Sequence, residues 1–206
     1  RKRFVSFTGH LIYNMVKHVG GNPFIANKTK DLEKTKLIII PGVGSFDNGM
    51  DKLNTNNFSK ILKERVLDKS VIVIGICLGM QLMFETSEEG KKRGLGWFNG
   101  SVKSLQNLIS SKTLKVPHMG WNNINIKKNK KIFDKLDNQS RFYFTHSYYC
   151  HCEDKNDIIA ETAYGKNFTS AINKENIYGF QFHPEKSHKF GKILFYNLIN
   201  NLSHNA

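Results

Sequence analysis

Two aliphatic runs without a polar interruption, Leu37-Ile38-Ile39-Ile40 and Val71-Ile72-Val73-Ile74, constrain this chain more than any other feature. A strand exposed on one face alternates apolar and polar residues, whereas one that is apolar throughout must be covered on both faces. A parallel sheet with helices on either side meets that condition. Between the runs, Phe58, Ile61, Leu62, Val66 and Leu67 have the spacing of a helix laid on a sheet, and Leu11 to Val19 reads as an earlier one. The expected class is therefore α/β, with a central, largely parallel sheet flanked by helices. Phe142-Tyr143-Phe144, Ile158-Ile159-Ala160 and the alternating stretch from Ile177 to Phe182 read as later strands. A closing helix from about Lys189 to Leu202 would carry Phe190, Ile193, Leu194 and Leu198 inward. No internal repeat, low-complexity tract or proline-rich linker interrupts the chain, so one domain over residues 1–206 is expected.

Both aliphatic runs lead into glycine-rich turns, where α/β sites gather. After the second comes Gly75-Ile76-Cys77-Leu78-Gly79, the cysteine form of a nucleophile elbow, in which a tight strand-to-helix turn raises the reactive atom above the sheet. A following helix N-terminus would favour the thiolate. Alone, the pattern fits a buried structural cysteine equally well. His183-Pro184-Glu185 follows the alternating strand. Residues two apart on extended chain share a side, so Glu185 can orient the His183 ring, and that ring can take a thiol proton and return one to a leaving amine. Pro41-Gly42-Val43-Gly44 follows the first run. An amide of Val43 or Gly44, with that of Leu78, would suit the oxyanion of a tetrahedral intermediate, although PGVG also reads as a plain turn.

The formal charge of +14 admits a nucleic-acid partner as a remote alternative. The lysines are scattered, however, and the densest cluster, Lys127 to Lys131, reads as a polar turn. No RNA-binding or helix-turn-helix motif accompanies them. Cys77, Cys150 and Cys152 are odd in number and lack framework spacing, so free thiols in a reducing compartment are expected. Cys150-His151-Cys152 would alternate faces on a strand, so no metal is expected there, and no cofactor elsewhere. No apolar run approaches the roughly 20 residues that span a bilayer, and Arg1-Lys2-Arg3-Phe4 does not open a secretory signal, so the expected location is the cytoplasm, away from membranes.

PGVGSFDNGM, GICLGMQLMFETSEEG and GFQFHPEKS together closely resemble the class I glutamine amidotransferases. With VPHMGWN at 116–122 and FYFTHSYY at 142–149, the likeness narrows to glutaminase subunits of imidazole glycerol phosphate synthases. It covers the chain from about residue 37 onward. The resemblance implies a Cys77-His183-Glu185 triad that hydrolyses the glutamine side-chain amide through a thioester. It also implies that Gln81, Glu89, Ser147 and Tyr148 grip the substrate. It further implies a (β/α)8 barrel cyclase as partner in a heterodimer, with Trp121 and Lys186 at positions that face it. Ammonia protonates in water and loses nucleophilicity, so such a partner must seal against the glutaminase. A barrel does not fit in 206 residues beside this domain, so it is expected on a separate chain. A paralogue feeding a sugar amidotransferase in polysaccharide synthesis would use the same triad. At the start the chain departs from the family's pattern: Arg1 to His10 keeps little of the usual first strand and D-Y-G-x-G-N type turn, as a truncated or divergent N-terminus would.

Overall fold

The computed structural model describes residues 3–6, 10–110 and 114–202. In chain order the main elements are β1 (Arg3–Ser6), α1 (His10–His18), β2 (Asn22–Ile25), β3 (Leu37–Gly42), α2 (Phe46–Thr55), α3 (Phe58–Arg65), β4 (Ile72–Cys77), α4 (Leu78–Gln81), β5 (Phe84–Ser87) and β6 (Phe98–Ser104). There follow β7 (His118–Asn123), β8 (Asn125–Ile126), β9 (Arg141–His146), β10 (Tyr148–Cys152), β11 (Ile158–Tyr164), β12 (Lys166–Lys174), β13 (Ile177–Phe180) and α5 (His188–Tyr196).

The aliphatic runs lie at the centre of the main sheet, whose order is β2-β1-β3-β4-β13-β12-β10-β6-β5, with β11 on β12 and β8 on β11. From β2 to β13 every pairing is parallel. This is the half that needs cover on both faces. Ile38 and Ile40 face one apolar cluster with Leu53, Phe58 and Leu62 of α2 and α3. Leu37 and Ile39 face another with Ile12 and Val16 of α1 and Leu194 and Phe195 of α5. Beyond β13 the pairings turn antiparallel, through β12, β10 and β6, and only β5 on β6 is parallel again. The expected parallel sheet is thus the half that carries the aliphatic runs, continued by an antiparallel half.

A separate two-stranded sheet pairs β7 with β9 antiparallel, from His118 opposite His146 to Asn123 opposite Arg141. Ser147 is the hinge between sheets, since β9 ends just before it and β10, in the main sheet, begins just after it. Two expectations about helices change. Leu67, assigned to an inward face, lies beyond α3 and is 73% exposed, because the helix stops at Arg65 and frees the chain's direction. The closing helix is α up to Tyr196 and continues as a π-type turn over Asn197–Leu202; Asn197 Nδ2 donates there to the carbonyls of Ile132 and Asp134 at 3.0 and 2.8 Å. The unusual N-terminal sequence supplies β1, which pairs with β2 and β3. Residues 7–9, where the departure from the family's turn falls, are outside the described residues.

Candidate active site

The elbow forms because two glycines let three backbones meet. A Cβ on Gly79 would stand 1.8 Å from the Ile40 carbonyl oxygen, and one on Gly75 would stand 2.5 Å from that of Gly79. Only at glycine can β3, β4 and the turn into α4 approach so closely. Between them Cys77 takes φ +54 and ψ −111, outside the ordinary regions for a residue with a side chain. The helix after it is a single turn, Leu78–Gln81. The expected dipole from a following helix is correspondingly slight, since that effect scales with aligned peptide units.

His183 arrives from the adjoining strand. β13 pairs with β4 so that Gly179 opposes Gly75 and Phe180 opposes Ile76, and the chain leaves both strand ends at the same rim of the sheet. Beyond β13, His183 is pinned to β9: its amide donates to the Tyr143 carbonyl at 2.8 Å. Ser187 ties the same segment down, its hydroxyl donating to the His183 carbonyl at 2.6 Å and accepting from the Tyr143 amide at 3.0 Å. Glu185 Oε1 lies 2.7 Å from His183 Nδ1, and both side chains are almost fully enclosed, at 4% and 7% exposure. A carboxylate only accepts, so Nδ1 keeps its proton and Nε2 is the atom that gains and loses one. Nε2 is buried and has no hydrogen-bond partner. Burial by itself would make the ring less basic, but the neighbouring Cys77 sulfur and Glu185 carboxylate outweigh it and raise the His183 pKa to about 9.

The sulfur opens into a cavity of about 360 Å³. Its lining includes Val43, Gly44, Leu78, Gln81, Glu89, Ser147, Tyr148, His183 and Lys186, so the expected oxyanion and substrate residues converge on one space. Glu185 stands behind His183, on a second cavity of about 310 Å³ that also touches Leu11, Val43 and Lys186. Glu89 has a structural task as well: its Oε2 accepts from the Phe46 amide, at the start of α2, at 2.8 Å. Gln81 Nε2 donates to the Tyr148 carbonyl at 3.0 Å and to Gln181 Oε1 at 3.1 Å, and Gln181 Nε2 reaches Cys77 Sγ at 3.7 Å. Gln181, Thr145 and His146 were missed in the sequence reading. For Gln181 the signal was present, because in the alternating strand it shares a side with His183 two residues on.

Trp121 does not line the cavity. It is 44% exposed on β7, with its indole stacked on the His188 ring at 5.3 Å. Lys186 Nζ sits 5.8 Å over the Tyr143 ring, at the junction of the two cavities. Cys150 and Cys152 are buried free thiols whose pKa is pushed up by burial, the second to about 11. Among the described residues no group of three or more His, Cys, Asp or Glu is placed to hold a metal ion, and no helix is long and apolar enough to cross a membrane.

Comparison with known proteins agrees with this fold. Among solved structures, the PurLQS structure from Thermotoga maritima superposes with a TM-score of 0.73 at 17% identity, covering 98% of this chain and 99% of that one. A structure described as a glutamine amidotransferase gives 0.70 at 14% identity, covering 97% and 100%. In sequence, imidazole glycerol phosphate synthase subunit HisH 2 of Methanococcus maripaludis is 47% identical over 188 residues, 91% of this chain and 92% of that protein. The subunit HisH of Leptospira interrogans is 45% identical over 184 residues, 89% and 90% of the two chains. Residues 6–201 match the family described as Glutamine amidotransferase class-I, and this chain belongs to that family.

Proposed function

We propose that this chain is the glutaminase subunit of an imidazole glycerol phosphate synthase, releasing ammonia from glutamine for a cyclase subunit in histidine biosynthesis. The observation that carries the chemistry is the convergence, at one cavity, of a strained cysteine and a buried histidine whose free Nε2 has no other partner. The names of the relatives at 47% and 45% identity supply the pathway.

In this reading His183 Nε2 has taken the thiol proton, as its raised pKa favours, and the Cys77 Sγ thiolate attacks the side-chain amide carbon of glutamine. Glu185, on Nδ1, holds the ring's orientation and stabilises its charged form. The Leu78 amide, with that of Val43 or Gly44, receives the oxyanion. Collapse of the tetrahedral intermediate expels ammonia with the proton returned by His183, leaving a glutamyl thioester. Water, deprotonated by the same nitrogen, cleaves the thioester to glutamate and restores the thiol. Gln81, Glu89, Ser147 and Tyr148 hold the substrate's amino-acid end, Glu89 offering the ammonium the oxygen that the Phe46 amide does not use.

The released ammonia needs a covered exit, and the surface around the cavities is built for cover. Leu11, Val43, Met119 and Trp121 are exposed apolar side chains on or beside the segments that line them, at 55%, 77%, 63% and 44% exposure. Contiguous exposed apolar groups mark docking surfaces. A (β/α)8 barrel cyclase seated over Trp121 and Lys186 would close the route. The test is ammonia release from glutamine with a histidine-pathway cyclase and its phosphorylated aminoimidazole ligand. Stimulation is expected; stimulation only by a sugar amidotransferase would move the chain to polysaccharide synthesis instead.

A further inference from the structure

Behind the cavity wall runs a second line of buried polar groups that the triad does not use. His146, at the end of β9, and His118, opposite it on β7, are 5% and 4% exposed. His146 Nδ1 is 2.8 Å from the Tyr148 carbonyl oxygen. A carbonyl only accepts, so the proton sits on Nδ1 and Nε2 is left to accept. His118 Nδ1, 3.1 Å from that Nε2, must then donate, and His118 Nε2 accepts from Asn122 Nδ2 at 3.4 Å. Asn122 Nδ2 is fixed as a donor by the Ala163 carbonyl at 3.0 Å. The protons have one self-consistent arrangement, with both rings neutral. Burial agrees, holding His118 at about 4 and His146 at about 3.

The line ends on an atom of the substrate pocket. The Tyr148 carbonyl accepts from His146 and from Gln81 alike, and the four residues from Thr145 to Tyr148 form one wall of the cavity. Within that wall Ser147 is the hinge between the two sheets, the one residue of the four outside both strand ladders, and the Leu105 amide donates to its carbonyl at 2.8 Å. Aromatic packing explains why a flat ring occupies position 118, stacked on Tyr164 at 4.0 Å and Phe144 at 4.8 Å. Packing does not explain a donor chain aimed at a pocket carbonyl, because an apolar ring would pack as well.

We infer that His146, oriented by His118, is a positioning residue for the glutamine pocket: its Nδ1–H holds the Tyr148 carbonyl and so sets the Ser147–Tyr148 wall against which the substrate lies. The inference rests on the glutaminase reading above. Two substitutions separate the bonds. His146→Asn keeps an N–H near the place of Nδ1, whereas His146→Gln moves the amide toward the place of Nε2 and leaves the Tyr148 carbonyl without that donor. Glutamine hydrolysis is measured in the complex with the cyclase subunit, alongside thermal stability. His146→Gln should raise KM about tenfold or more with kcat changed less than about threefold, and His146→Asn should stay within about threefold of the wild-type KM. Equal KM in the two variants, or an unchanged KM in His146→Gln, overturns the inference. Should neither variant fold, the imidazole nitrogen shifts of the wild-type protein decide by NMR: Nδ1–H in both rings supports the line, and Nε2–H in His146 overturns it. A wild-type complex that releases no ammonia from glutamine would instead defeat the functional reading.

Discussion

In the proposed reaction three side chains carry different shares of the chemistry, and substitutions should rank them. Cys77→Ala removes the attacking atom and should lower glutamine hydrolysis by about 10⁴-fold or more, while synthesis driven by added ammonia persists in the complex; both are read in one ammonia and product assay. Glu185→Gln keeps the shape and removes the carboxylate charge that faces Nδ1, so kcat should fall by about 10²–10³-fold, less than for loss of the nucleophile. The histidines also leave a mark on stability. His183 has its pKa raised from 6.5 to about 9, so its contribution is complete below about 6.5 and is lost as pH rises through about 9. His118 and His146 are lowered, so their cost appears as pH falls below about 6.5 toward 4 and 3, where the unfolded chain takes up protons first. Thermal melts across pH should therefore peak near 6.5, and His183→Gln should remove the decline between about 6.5 and 9 while leaving the steeper alkaline loss, where the buried Cys150 and Cys152 thiols resist ionising.

At the scale of elements, the site depends on backbones in contact. Gly79→Ala would drive a methyl into the Ile40 carbonyl at 1.8 Å, an atom of a central strand that cannot turn aside. The expected cost is about 2–3 kcal/mol or more, measured by denaturant unfolding. Leu194→Ala, in the layer between α5 and the sheet, should cost about 2–5 kcal/mol by leaving a cavity. These elements also show what sequence can carry. The parallel half was legible because strands covered on both faces have no polar positions, and Cys77, His183 and Glu185 were legible because their neighbours fix local geometry. The short α4 was not legible: Met80, Gln81 and Leu82 look like the start of a longer helix, and only the tertiary path shows the chain turning into β5. His118 and His146 escaped for another reason, since their meaning lies in a pairing across two strands 28 residues apart. Leu67 misled because helical spacing continues past the residue where the helix itself ends.

At the scale of the whole molecule, the apolar rim and the basic surface make separate predictions about the partner. Trp121→Ala should weaken docking of the cyclase by about 10–100-fold in Kd and leave unstimulated hydrolysis unchanged, as titration by calorimetry would show. The net charge of +14 should speed encounter with an acidic partner face, so the association rate should fall as salt is added while the dissociation rate stays nearly constant. The pairing of β13 with β4 reaches further than either effect. Sulfur and imidazole hang from adjoining rungs of one main-chain ladder, whose alignment of Gly179 with Gly75 and Phe180 with Ile76 acts as a ruler between them. Interior side chains can be exchanged for others of like bulk without altering that measure. One residue inserted within either strand would displace its end by about 3.3 Å and turn it to the opposite face. Exchanges of interior residues should therefore leave the two reactive groups opposite each other, whereas a change in the residue count leading out to either should part them.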